Sequence, residues 1–100
     1  MSTRHIARTL ALQTLFELDM RGDLGMTPDE ALPIILRNTE EFGEGIKDTS
    51  FTKSIIANAL SRRITIDDII TRAAPDWPLD KIGVVDRNIL RIGLTELLFG

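Results

Sequence analysis

The segment "TRHIARTLALQTLFELDM" (residues 3–20) decides the fold, because its apolar residues recur with the period of an α-helix. At about 100° per residue, one stripe of the helical wheel consists of Ala7, Leu10, Ala11, Leu15 and Leu18. The stripe is widened beyond half of the circumference by Leu12, Phe16 and Met20. A helix that is apolar over most of its surface is buried against several neighbours. The segment therefore predicts a helix packed against other helices.

The same helix begins with three basic residues, Arg4, His5 and Arg8, in its first two turns. A helix start already carries a partial positive charge, so each cation there costs about 0.3–1 kcal/mol unless an anion binds nearby. The three side chains fall within a sector of about 100° and can form one patch. The patch is a candidate anion-binding site, and solvated residues at the end of a terminal helix are the alternative interpretation.

The rest of the chain also has helical periodicity, and strand-type alternation is absent from the sequence. Thr27 can cap a second helix, with Pro28 at its first position, and "FGEG" (residues 42–45) ends it. A long third helix is predicted from about Thr49 to Ala74, with an Arg63–Asp67 pair on its surface. These segments and the final helix predict an all-α helical bundle.

The final helix is predicted from about Val84 to Phe99 and is apolar over most of its circumference. Four helices can bury one side of it but hardly both, so a partner or a longer chain must cover the remainder. We favour a longer chain, which makes residues 1–100 a single domain truncated after its fourth major helix and incomplete at the C-terminus. A chain of this length is expected to self-associate or to be unstable.

Composition restricts the possible functions. The chain has 100 residues, a net charge of −3 and no cysteine, so one domain without disulfides or a thiolate nucleophile is expected. No secretory signal or apolar run of about 18 residues is present, and we expect a cytoplasmic protein with no membrane partner. His5 is the only histidine and tyrosine is absent. No catalytic triad, metal cluster or cofactor motif is found, so we expect no enzymatic activity, metal or cofactor.

A DNA-binding helix-turn-helix is a distant alternative, because "LDKIGVVDRNILRIG" (residues 79–93) superficially resembles one. Pro78 would fall inside the first helix of that motif and break it. Arg87 and Arg91 either face a nucleic acid or form salt bridges that hold the final helix, and we favour the salt bridges. Trp77 either stacks on a base or packs between helices, and we favour packing.

Two stretches together resemble the NusB family of bacterial transcription antitermination factors: "ARTLALQTLFELDM" (residues 7–20) and "DWPLDKIGVVDRNILRIGLTELL" (residues 76–98). The second stretch is the more specific, since it follows the family pattern W…VDRxILRxxxxEL. The resemblance implies an all-helical fold of two packed bundles. It also implies binding of single-stranded boxA RNA jointly with a ribosomal protein, NusE, in an RNA polymerase antitermination complex that includes ribosomal RNA operons.

The resemblance also assigns residues. Arg4, His5 and Arg8 match the basic RNA surface of the family, while Ile6 stands where relatives often carry another basic residue. Asp86 matches a position near the ribosomal-protein contact, so Asp86 and Arg87 are the candidate partner-binding residues, and the alternative for Asp86 is an N-cap. Two alternative functions are an RNA-binding domain that serves a ribosomal RNA methyltransferase and a purely protein-binding helical adaptor. The oligomeric state is open, and a homo-oligomer is possible.

Overall fold

Five α-helices and one 3₁₀ turn form the part of the chain that the structure, a computed structural model, describes: residues 3–42 and 49–99. The helices are α1 (Thr3–Arg21), α2 (Pro28–Phe42), α3 (Ser50–Ser61), α4 (Arg63–Ala73) and α5 (Val84–Phe99), with the 3₁₀ turn at Leu79–Lys81. Residues 3–42 and 49–99 contain no β-strand, and the predicted all-α class is confirmed. None of the described helices is long and apolar enough to cross a bilayer.

Helix α1 lies at the centre of the fold and packs against α2, α3 and α5. All five residues of its predicted stripe are at most 3% exposed. Three of them, Ala11, Leu15 and Leu18, form one core cluster with apolar side chains from the other helices, including Ala31, Ile35, Ile56, Ala59 and Ile92. Burying such side chains supplies most of the free energy that holds helices together. The prediction that α1 packs on several neighbours is confirmed.

The link between α1 and α2 is built from the local signals that the sequence contains. Gly22 adopts a φ of 74°, and its N–H donates to the Asp19 carbonyl at 3.0 Å. The Asp23 N–H donates to the Leu18 carbonyl at 2.8 Å, which completes a Schellman C-cap. Thr27 and Glu30 then form a reciprocal capping box at the start of α2, with distances of 3.1 and 3.2 Å. Helix α2 ends at Phe42, and the rest of the predicted break at residues 43–45 lies outside the described residues.

The predicted long third helix is wrong, because the chain forms two helices that meet at Arg62. Arg62 has φ −105° and ψ 12°, outside the usual helical values. Hydrogen bonds nevertheless continue on both sides, from the Arg62 N–H to Asn58 and from the Ile66 N–H to the Arg62 carbonyl. The bend directs α3 onto α1 and α4 onto α5. Apolar periodicity persists through it without glycine or proline, so the sequence pattern does not reveal the break.

An apolar groove of about 550 Å³ runs between α4 and α5, with walls that include Ile70, Ala73, Ile89 and Leu90. Trp77 lies at its edge and is 70% exposed, so the prediction that this ring packs between helices is wrong. The outer face of α5 is also exposed, with Leu97 at 78%. The sequence prediction that α5 carries more apolar surface than the other helices cover is therefore confirmed.

The helix-turn-helix alternative is not formed. Residues 79–81 make a single 3₁₀ turn, and one continuous helix, α5, begins at Val84. A helix-turn-helix needs two α-helices joined by a short turn.

Candidate anion-binding site

The first turns of α1 and the start of α3 form a basic surface, which we call the basic patch: Arg4, His5, Arg8 and Phe51. The three basic residues are exposed, as the sequence predicts. The guanidinium carbon of Arg4 lies 4.7 Å from the centre of the Phe51 ring, and that of Arg8 lies 5.4 Å from it. Cation–π contacts at exposed sites contribute about 0.5–1 kcal/mol each. The ring thus gathers two cations onto one surface, a role for Phe51 that the sequence reading missed.

A carboxylate from the far end of the chain partly neutralises the patch. The Nε atom of Arg8 lies 3.0 Å from both carboxylate oxygens of Glu96, and its Nη2 lies 2.9 Å from Oε1. Glu96 lies on α5, and its side chain remains 26% exposed. This ion pair uses the Nε side of the guanidinium, and because the group has five N–H donors, others remain for an anion. Sequence spacing gives no sign of this contact between residues 88 positions apart.

A pocket of about 380 Å³ with both polar and apolar walls adjoins the basic patch, between α1, α3 and α5. Its walls include Arg4, Phe51, Ser54, Asn58 and Glu96. Asn58 Nδ2 donates to the Phe99 carbonyl at 3.4 Å, which ties the amide to the end of α5. The pocket therefore combines an aromatic ring, a guanidinium, an amide and a carboxylate within one concave surface.

Inside the molecule, α5 is held by an ion network centred on Asp19 of α1. Arg87 donates to both Asp19 oxygens at 2.7 Å, and Arg91 and Asn88 donate to Oδ2 at 2.8 and 2.9 Å. Arg91 also binds Asp67 of α4 at 2.8 Å. Burial alone would raise the pKa of Asp19, but the hydrogen bonds from Arg87, Asn88 and Arg91 outweigh it and lower that pKa to about 2. One carboxylate thus fixes α5 against α1.

The network shows where the candidate partner-binding residues lie. Only 16% of the Arg87 side chain is exposed, and its Nη1 also donates to the carbonyls of Leu79 and Ile82. The salt-bridge interpretation of Arg87 and Arg91 is therefore confirmed. Asp86 is exposed in the first turn of α5 and borders the apolar groove. Because α5 begins at Val84, Asp86 is not its N-cap.

The predicted Arg63–Asp67 surface pair is replaced by the pair between Asp67 and Arg91. Tertiary contact overrides the helical spacing here, because Arg91 on α5 reaches the same carboxylate from a less exposed side. Within residues 3–42 and 49–99, no group of three acidic, histidine or cysteine side chains is placed to hold a metal ion.

The structure is thus an all-helical fold with exposed basic residues gathered at the start of its central helix. The NusB family profile matches residues 5–100. The chain therefore belongs to the NusB family.

Curated relatives agree with this assignment. The transcription antitermination protein NusB of Heliobacterium modesticaldum is 38% identical over 97 residues, which cover 97% of this chain and 44% of that protein. The protein of the same name from Streptomyces coelicolor is 36% identical over 99% of this chain and 68% of its own length. That of Desulforamulus reducens is 38% identical over 94% of this chain and 62% of its own length.

The chain thus spans between 44% and 68% of the length of these three relatives. No solved structure matches the chain.

Proposed function

We propose that this chain is an RNA-binding transcription antitermination factor that acts with the ribosomal protein NusE on boxA-type RNA, including that of ribosomal RNA operons. The names of its relatives support the antitermination role. The observation that carries RNA binding is the gathering of Arg4 and Arg8 on the Phe51 ring, at an exposed end of an otherwise acidic protein. The role is one of binding beside RNA polymerase in the cytoplasm, without a catalytic step.

The basic patch would bind RNA through its phosphates. Each phosphate that an arginine neutralises releases condensed counterions, so affinity falls as salt rises. The net charge of −3 opposes RNA over the rest of the surface, which would confine the strand to the patch. Phosphate contacts alone carry no sequence information, and base contacts must supply it.

The surface proposed for NusE lies at the start of α5. Asp86 presents an exposed carboxylate beside the apolar groove, so it can make a direct contact with a protein partner. Arg87 would act through Asp19, because its ion pair fixes the first turns of α5 and so fixes the direction of Asp86. A charged rim beside an apolar centre is the usual composition of a protein–protein interface.

The test is salt-dependent binding of a boxA RNA measured by fluorescence anisotropy. The double variant Arg4→Ala/Arg8→Ala should bind at least tenfold more weakly at low salt. Its slope of log affinity against log salt should be smaller by about 1.4, since single strands give about 0.7 per phosphate contact. The matched control is Arg72→Ala/Lys81→Ala, which removes two exposed cations elsewhere and should change affinity little. Equal affinity of the two double variants would contradict RNA binding by the patch.

A protein-binding adaptor without an RNA role is the second candidate, and two observations favour it. Glu96 neutralises part of the basic patch, and the groove between α4 and α5 offers an open apolar surface elsewhere on the molecule. Such an adaptor would bind NusE with an affinity that neither RNA nor the Arg4→Ala/Arg8→Ala variant changes. Binding of NusE that strengthens when boxA RNA is added would exclude this candidate.

A further inference from the structure

Phosphate contacts cannot distinguish one base from another. The pocket beside the basic patch has groups that can contact a base directly. Single-stranded RNA is read by stacking its unstacked bases on aromatic or guanidinium planes and by hydrogen bonds to their edges. The pocket supplies the Phe51 ring and, lying over it, the Arg4 guanidinium, whose carbon is 4.7 Å from the ring centre. Glu96 and Asn58 supply hydrogen-bonding groups on the same walls.

We propose that this pocket binds one unstacked guanine of the RNA and that Glu96 reads its edge, an inference that rests on the proposed function. Guanine presents two adjacent donors, N1–H and the N2 amino group, which match the two oxygens of one carboxylate. Adenine and cytosine present an amino group next to an acceptor nitrogen. Uracil presents one N–H between two carbonyl oxygens. In all three bases an acceptor atom would face the carboxylate, and two acceptors repel each other.

The contacts of Glu96 fit this role. Arg8 holds both carboxylate oxygens, so the plane of the carboxylate is fixed before any ligand binds. Because Arg8 occupies the edge that the two oxygens share, a guanine that binds both oxygens takes that edge from the guanidinium, which then turns to an RNA phosphate. The side chain is partly exposed and lines the pocket. A fixed acceptor that opens onto a stacking surface is the arrangement that base recognition requires.

The sign of the charge also favours a direct contact with a base. A carboxylate beside phosphate-binding arginines weakens their attraction for every polyanion. This cost is offset when the same carboxylate accepts hydrogen bonds from a particular base. Glu96 would therefore lower the affinity for RNA in general and raise the preference for guanine.

The experiment compares short oligouridines that differ at one central position. We expect wild-type protein to bind the oligomer with a central guanosine about tenfold more tightly than the one with a central uridine, the discrimination typical of a bidentate base contact. Inosine, which lacks the N2 amino group, should lose most of this gain. The base series uses unaltered protein, so its outcome does not depend on how a variant folds.

Variants then assign the preference to its residue. Glu96→Gln should bring the guanosine-to-uridine ratio close to one while oligouridine binds as tightly as before or more tightly. The matched control Asp68→Asn removes another acid that is paired with an arginine, on α4, and should leave the ratio unchanged. Thermal melting by circular dichroism checks that both variants are folded.

The experiments distinguish failure of the guanine pocket from failure of the proposed function. Equal binding of all oligomers, with Arg4→Ala/Arg8→Ala still weaker, overturns the guanine pocket and leaves the proposed function intact. A preference that survives in folded Glu96→Gln also overturns it. If wild-type protein binds no oligomer in a salt-dependent manner, the proposed function fails and the pocket fails with it.

Discussion

At the scale of single residues, Asp19 is the centre of the ion network that joins α1 to α5. It pairs with two arginines of α5, and all three side chains are largely buried. Removing one partner from a buried ion pair leaves uncompensated charge, which costs about 3–5 kcal/mol. Asp19→Asn should therefore lower the free energy of unfolding at neutral pH by about that amount, because Arg87 and Arg91 would keep only an amide oxygen between them. Urea denaturation measures the loss, and Asp68→Asn, an exposed pair, should lose less than 1 kcal/mol.

Asp19 also predicts how stability depends on acid. The pKa of Asp19 lies near 2 in the folded protein and near its usual 3.8 in the unfolded chain. A depressed pKa stabilises the fold above the unfolded value, and this contribution, on the order of 2 kcal/mol, disappears as pH falls from about 4 to 2. Urea midpoints measured across that interval should fall more steeply for wild-type protein than for Asp19→Asn. Parallel curves for the two proteins would contradict the assignment.

At the scale of the helix, boundaries set by local chemistry were predictable and those set by distant contacts were not. The Thr27 cap follows from side-chain chemistry within four residues, and the sequence contains all of it. The bend at Arg62 accompanies the packing of α4 on α5, a tertiary contact between separate helices that helical periodicity does not encode. The candidate anion-binding site likewise depends on both local and distant contacts. The cations of the basic patch were predictable, but Phe51 and Glu96, which fix them, come from other helices.

The helix end at Gly22 offers a direct test of this local control. Gly22 has a φ of 74°, a region that costs a residue with a Cβ about 1–2 kcal/mol, whereas Gly25 has no positive φ. Neither glycine has an atom within 4 Å of an added Cβ, so the two sites differ in backbone conformation rather than in space. Gly22→Ala should lower the free energy of unfolding by about 1–2 kcal/mol, and Gly25→Ala by less than 0.5 kcal/mol. Equal losses in urea titrations would show that the C-cap does not determine the end of α1.

At the scale of the whole molecule, the chief feature is exposed apolar surface on one side. Trp77 and Leu90 border the groove, and Leu97 and Leu98 continue onto the outer face of α5, each at least 44% exposed. Contiguous apolar patches larger than a few hundred Å² mark interaction surfaces in soluble proteins. The 100-residue chain should therefore form oligomers whose population rises with concentration in the micromolar range. Sedimentation velocity measures that population directly.

A matched pair of variants distinguishes this surface from general hydrophobicity. Leu97 and Ile64 are equally exposed, at 78% and 77%, but Leu97 lies on α5 among its other exposed apolar residues, whereas Ile64 lies on α4. Leu97→Glu should shift the protein towards monomer because a charge at the centre of an apolar contact must be desolvated when the contact forms. Ile64→Glu adds the same charge and should leave the distribution unchanged. A wild-type protein that stays monomeric at all concentrations would contradict the prediction, and equal effects of both variants would mean that association follows net charge and not the α5 face.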